Sequence, residues 1–258
     1  MIEGFQETQF THDGKTRTVY RRGSGPAVLI MHEIPGIYPD VVRFANQVAD
    51  AGFSVALPHL FGEVGRPLSP TYIAGSLARA CISREFKVLA AHEASPITEW
   101  LRALARSLYA EIGGRGVGAL GMCLTGNFAL ALAVDPFLMA PVLSQPSLPF
   151  PLGAERRAGL HISPQQLSTL KQRTTEGCRV LGMRFTNDPA CPAERFATLK
   201  RELGDGFEAI EIDSSPGNPC GIPKSAHSVV TKDLVDRDGH PTKQALERVL
   251  AFFREQLT

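Results

Sequence analysis

Cys123 sits in the run GMCLTG (121–126), after a short apolar, glycine-rich stretch, RGVGALG (115–121), and before NFALALAVD (127–135). The first reads as a buried strand and the second as an amphipathic helix, joined by a tight turn that presents one nucleophilic side chain. This is the pattern of a nucleophile elbow with sulfur where serine is usual. Gly121 and Thr125 lie two residues before and after the cysteine; Thr125 is larger than the glycine usual there, which tightens or shifts the turn. Two further residues complete a possible relay. Asp188, in RFTNDPACP, follows a strand-like segment at 179–185, and His227, in KSAHSVV, follows another at 207–213.

The chemistry such a set performs is covalent catalysis. A thiol with an ordinary pKa of about 8.5 is only a few per cent thiolate at neutral pH. A neighbouring imidazole and the positive end of the elbow helix both favour the anion. Asp188 would hold His227 in the required tautomer and stabilise its charged form. Each residue has an ordinary alternative: Cys123 as a small buried hydrophobe, Asp188 as a turn residue before proline, His227 as a solvated loop histidine. Their order along the chain, nucleophile then acid then histidine, is that of the α/β-hydrolase triad, and all three fall at strand ends, where open α/β sheets build their sites.

The elements that must position them alternate. Strand-like segments at 16–22, 27–33, 53–59, 115–121, 139–145, 179–185 and 207–213 are interleaved with helical ones at 40–51, 71–91, 95–112, 127–135, 164–173, 193–203 and 242–256. In the helix opened by Ser95 and Pro96, Ile97, Trp100 or Leu101, Leu104, Leu108 and Ile112 recur at helical spacing, which assigns the tryptophan to the core. Alternation of this kind predicts an α/β fold: a mostly parallel central sheet with helices on both faces. With no internal repeat or low-complexity linker, residues 1–258 read as a single domain.

Composition removes several classes of function. The chain of 258 residues has 27 basic and 26 acidic residues, so no charge footprint points to nucleic acid or an anionic membrane. No apolar run approaches the roughly 20 residues that span a bilayer, and MIEGFQETQF lacks the apolar core of a secretory signal. Five widely spaced cysteines form no CxxC or Cys/His cluster, which favours neither a disulfide framework nor a zinc site. The expectation is a reduced, cytoplasmic protein using no metal or organic cofactor.

The chain resembles the dienelactone hydrolase family from about Ala27 to the last helix. The resemblance is carried by VLIMHEIPGI (28–37), VADAGFSVALPHLFG (48–62), GVGALGMCLTGNFALALA (116–133), FTNDPACP (185–192) and AHS (226–228). It implies an α/β-hydrolase fold and a Cys123–His227–Asp188 triad cleaving small esters or lactones through an acyl-cysteine. It also implies that Glu33 contacts the resting thiol and helps take its proton, and that the N–H groups of Ile34 and Leu124 form the oxyanion hole. Ser228 matches a polar substrate contact. The family's arginine after the histidine is replaced by Thr231, with Lys232 the next cation, and Arg84, with Arg79 competing, is a candidate carboxylate partner on the other wall. His59 stands where the family often has aspartate and is expected to be structural. The altered arginine position points away from dienelactone itself, toward a neutral or differently charged ester. The rival readings are attack by the same thiolate on other activated electrophiles, such as phosphotriesters, and a non-catalytic ligand-binding protein on the same scaffold.

Overall fold

The computed structural model describes residues 2–82, 96–147 and 153–258. Among them, eight strands form one sheet: β1 (Gln6–His12), β2 (Lys15–Arg22), β3 (Ala27–Met31), β4 (Ser54–Pro58), β5 (Val117–Met122), β6 (Leu138–Ser144), β7 (Val180–Phe185) and β8 (Phe207–Ile212). Their spatial order is β1-β2-β4-β3-β5-β6-β7-β8. β1 pairs antiparallel with β2, and β2 with β4. Every other neighbouring pair is parallel. The mostly parallel α/β sheet expected from the alternation of elements is therefore present.

Strands buried on both faces need apolar residues at every position. β3 (AVLIM), β5 (VGALGM) and β7 (VLGMRF) are buried throughout. Successive side chains serve opposite faces: Leu29 and Met31 join one core cluster, Val28 and Ile30 the other. Helices α1 (Pro39–Asp50) and α8 (Pro241–Leu257) cover one face with Phe44, Val48, Phe252 and Phe253. Helices α3 (Pro96–Ile112), α4 (Gly126–Leu132) and α7 (Ala193–Leu203) cover the other with Trp100, Leu104, Phe128 and Phe196. Trp100 is indeed core: its indole donates to the Lys15 carbonyl at 3.0 Å and meets Phe10 edge-on. Helix α6 (Pro164–Thr175) adds Leu170 to this second face, and helices α2 (Pro70–Ile82) and α5 (Ala154–Ala158) lie in the described connections. No helix among the described residues is long and apolar enough to cross a membrane.

The structure departs from the sequence expectations in two places, and a third expectation is covered only in part by the described residues. β1 was not anticipated, because its residues QETQFTH are mostly exposed and polar. Its signal was the turn instead: Asp13 and Gly14, both with positive φ, join β1 to β2 as a tight hairpin. Helix α4 is not amphipathic, since all seven of its residues are buried. The helix expected at 71–91 is seen as α2, and the remainder of that segment lies outside the described residues.

Candidate active site

From 116 to 133 every residue is buried except Cys123, which is half-exposed. β5 ends at Met122, a single 3₁₀ turn spans Cys123–Thr125, and α4 begins at Gly126. Cys123 itself takes φ +55°, a left-handed conformation rare outside glycine. Strained non-glycine backbone of this kind persists only where its surroundings over-determine it, and the surroundings here are tight. A Cβ on Gly121 would lie 2.0 Å from the Thr125 carbonyl oxygen, and one on Gly126 would lie 2.9 Å from Pro146 Cα.

The demand for a small residue therefore falls on 121 and 126, not on 125. Thr125 has ordinary right-handed helical angles, and its hydroxyl acts as a bolt: Oγ1 accepts from Met122 N–H at 2.8 Å and reaches the Met31 carbonyl at 2.7 Å. The larger side chain ties the turn to β3. On the far side, Ser147 N–H donates to the Cys123 carbonyl at 3.0 Å, and the Asn127 amide bridges the carbonyls of Leu124 and Ser147.

Asp188 lies just after β7 and is buried; His227 lies in the long connection between β8 and α8. The two side chains meet, with His227 Nδ1 2.7 Å from Asp188 Oδ2. A carboxylate only accepts, so Nδ1 carries the proton and Nε2 is turned to other work. Asp188 is fixed in turn by Ala190 N–H donating to Oδ1 at 2.9 Å. Burial opposes a charge on His227, but the Cys123 sulfur, hydrogen-bonded to the ring, and the Asp188 carboxylate overcome it and raise the imidazole well above its ordinary range. The backbone of this loop is held by Asp233, whose Oδ2 accepts from both His227 N–H and Ser228 N–H at 2.8 and 2.9 Å.

Glu33, two residues past the end of β3, is buried. Its Oε1 accepts from Tyr38 and Thr231, and its Oε2 from Ser228 Oγ at 2.8 Å and Gln145 Nε2 at 3.2 Å. Ser228 is thus turned toward Glu33. The preceding residue, His32, is fully buried between two backbone groups: Leu60 N–H donates to Nε2 at 3.1 Å, and Nδ1 lies 3.0 Å from the Glu33 carbonyl. These partners require the neutral Nδ1–H tautomer, in agreement with burial pushing this imidazole down to about 3. The N–H of Ile34 follows directly on Glu33, and that of Leu124 lies in the first turn of the elbow helix, where no intrahelical acceptor exists. His59 lies beside His32 and bonds the Gly62 carbonyl at 3.0 Å. Arg84 and the side chain of Arg79 lie outside the described residues.

Sequence reasoning did not find Tyr38, Gln145, Asp233 or Arg195. Arg195 is a buried guanidinium on α7 that donates to the carbonyls of Pro146, Gly159 and Arg156, pinning the segment beside the elbow. Only Gln145 left a usable trace: a non-glycine residue just past an apolar strand, which here adopts φ +34°. Cys178 and Cys191 are buried thiols raised by that burial, as expected of inert cysteines.

Comparison with known proteins agrees with this architecture. The model of the dienelactone hydrolase family matches residues 16–257. No curated protein matches the sequence. Among solved structures, a putative dienelactone hydrolase from Klebsiella pneumoniae subsp. pneumoniae superposes with a TM-score of 0.64 at 18% identity, covering 97% of this chain and 98% of that one. A dienelactone hydrolase-like promiscuous phosphotriesterase from metagenomic libraries gives 0.59 at 16% identity, covering 98% of each. A cold-adapted esterase from an Arctic intertidal metagenomic library gives 0.57 at 13% identity, covering 98% of this chain and 94% of that one. At these identities the likeness is one of fold.

Proposed function

Because the chain belongs to the dienelactone hydrolase family, we propose that it is a hydrolase of small esters or lactones that works through a Cys123–His227–Asp188 triad. The observation that carries this reading is the pairing of His227 Nδ1 with Asp188 at 2.7 Å, which leaves Nε2 for the half-exposed sulfur at the elbow.

In the first half-reaction the Cys123 thiolate attacks the substrate carbonyl carbon, forming a C–S bond while the carbonyl π pair moves to oxygen. The N–H groups of Ile34 and Leu124 receive that oxyanion; a donor so placed is typically worth about 3–4 kcal/mol. Imidazolium His227 gives its Nε2 proton to the leaving alcohol as the C–O bond breaks, and an acyl-cysteine remains. In the second half, neutral His227 takes a proton from water, the hydroxide adds to the thioester, and the C–S bond breaks. The carboxylic acid departs and the thiolate–imidazolium pair is restored. Asp188 keeps the ring oriented throughout. No step calls for a metal or organic cofactor.

Thr231, standing where a carboxylate-binding arginine would be, is buried and spends its hydroxyl on Glu33, which favours an uncharged acyl group. The thiolate also suits an activated phosphorus centre, the activity named for one protein of the same fold, so phosphotriesters belong in the substrate panel. The test is mass spectrometry after exposure to an activated aryl ester, with turnover measured in parallel. An acyl adduct on Cys123 that is absent from Cys123→Ala is expected. No adduct and no turnover across lactones, aryl esters and phosphotriesters would leave a binding protein on a hydrolase scaffold.

A further inference from the structure

β7 runs VLGMRF, buried at every position, and its fifth residue is Arg184. A guanidinium in a strand covered on both faces is costly to desolvate unless its donors are met. Alternation along the strand puts Val180, Gly182 and Arg184 on one face, where the guanidinium carbon lies 5.7 Å from the centroid of the Phe196 ring. All three of its nitrogens have partners. Nε donates to the Cys191 carbonyl at 2.8 Å, Nη2 to the Thr186 carbonyl at 2.9 Å, and Nη1 to Glu211 Oε2 at 2.7 Å. Thr186 and Cys191 stand on either side of Asp188, so one rigid fork grips both ends of the turn that presents the carboxylate. Glu211, on neighbouring β8, also accepts from Lys200 at 2.8 Å. Burial pulls its carboxyl up, but the hydrogen bonds from Lys200 and Arg184 outweigh burial and hold it below the usual carboxylate range. The guanidinium thus meets a full countercharge at neutral pH.

The two ends of the Asp188 turn differ in their other supports. At the near end, Thr186 N–H donates to the Ile212 carbonyl at 2.9 Å, Asn187 N–H to Ser214 Oγ at 3.1 Å, and Ser214 N–H returns to Thr186 Oγ1 at 3.1 Å. The far end reads PACP, and its two prolines have no N–H to give. Of its two remaining amides, that of Ala190 is spent on Asp188 itself. The Cys191 side chain packs in the core, which holds the far end in place without orienting it; the bond from Arg184 to the Cys191 carbonyl supplies direction.

We infer that Arg184 is a positioning residue for Asp188, and through it for His227, with Glu211 setting the guanidinium in turn. This role rests on the triad proposed above. A carboxylate orients an imidazole only if its own lone pairs are fixed. Asp188 Oδ2 meets His227 Nδ1 at 2.7 Å, and a turn free to pivot about its near end would let that geometry wander. A planar fork with fixed donor directions resists pivoting, where the point charge of a lysine ammonium would not.

Orientation of Asp188 and mere support of the fold are separated by two readouts. One is kcat against KM; the other is the pH dependence of Cys123 alkylation by iodoacetamide, which reads how well an Asp188-backed imidazolium stabilises the thiolate. Arg184→Lys keeps a charge beside Glu211 and loses the fork. It is expected to lower kcat by about tenfold to a hundredfold, the scale of a displaced catalytic group, with KM nearly unchanged and the alkylation midpoint moved to higher pH. In the Asp188→Asn background, adding Arg184→Lys should lower kcat no further and leave the midpoint where Asp188→Asn alone puts it, because residues acting through one group are not additive. Full additivity in the double variant, or an unmoved midpoint in folded Arg184→Lys, overturns the inference: Arg184 would then support only the fold. If Arg184→Lys does not fold, Glu211→Gln keeps the guanidinium and weakens its anchor. A smaller fall in kcat, absent from the Asp188→Asn background, is then expected; no fall, or an equal fall in both backgrounds, overturns the inference as well. Should Asp188→Asn alone move neither kcat nor the midpoint, the triad reading itself fails, a result distinct from these.

Discussion

The turn that holds Cys123 and the loop that holds His227 face each other across the end of the sheet, and they are built by different means. The turn is made of backbone: buried residues on either side, a left-handed cysteine, and glycines where any Cβ would strike main-chain atoms. The loop between β8 and α8 contains no regular element among the described residues. It is held by side chains: Asp233 beneath His227 and Ser228, Asn218 binding the backbone of Cys220 and Ile222, and Glu33 with its donors. A steric device fails completely when one atom is added. A hydrogen-bonded device fails in parts, since each bond contributes only about 1 kcal/mol net.

That contrast is broken most directly at the two ends to which the proposed chemistry is assigned. Cys123→Ala should abolish turnover, by about a thousandfold or more, with little change in melting temperature because the residue is the one half-exposed position in its run. A variant retaining ester turnover would remove the sulfur from the mechanism. Asp188→Asn should lower kcat by about 10²–10⁴-fold with KM much less affected, because the geometry survives while the preferred tautomer is lost.

The next effects separate steric from hydrogen-bonded support. Gly121→Ala drives a methyl into the Thr125 carbonyl and should destabilise the fold by about 3 kcal/mol or prevent folding, beyond the usual cost of overpacking. Thr125→Val keeps the volume but removes the bolt to Met31 and Met122, and should cost about 1–3 kcal/mol. Urea unfolding of the two variants checks the order. Thr125→Val proving as damaging as Gly121→Ala would mean that the turn, too, is held chiefly by a side chain.

The same division explains what was legible in the sequence. The elbow could be read because its requirements are local: apolar strand, small residues, cysteine and helix lie within a few positions. The alternation of elements was legible for the same reason, and β1 was not, because an exposed polar strand buries nothing and leaves no periodic signal. The Asp188–His227 pair was accessible through chain order and strand ends. The donor set of Glu33 was not, since Ser228 and Thr231 lie 195 and 198 residues from their acceptor, and hydroxyl and amide residues are common in any loop. Thr231 was noticed only as a missing arginine; its positive role needs the fold.

His32 and His227 give the finest test, because the structure drives two histidines in opposite directions. The proton-binding affinity of His227 is raised on folding. Its contribution to stability is therefore fully present below the ordinary value of about 6.5 and is lost as pH rises through the folded value. His32 is pushed down to about 3 by burial. Between that value and about 6.5 the unfolded chain binds a proton that the native site refuses, so stability falls as pH falls, by about 1.4 kcal/mol per unit. Replacing each separately and measuring urea unfolding from pH 4.5 to 8, about 2 units below and 1.5 above the ordinary histidine value, separates the two signs. His32→Gln, whose amide can accept from Leu60 and donate to Glu33, should become progressively more stable relative to wild type as the solution is acidified. His227→Asn should show its largest deficit at the acid end and recover toward alkaline pH. Parallel curves for the His32 variant and wild type would mean that this ring takes up a proton in the folded state, and the neutral tautomer assigned from Leu60 and Glu33 would be wrong.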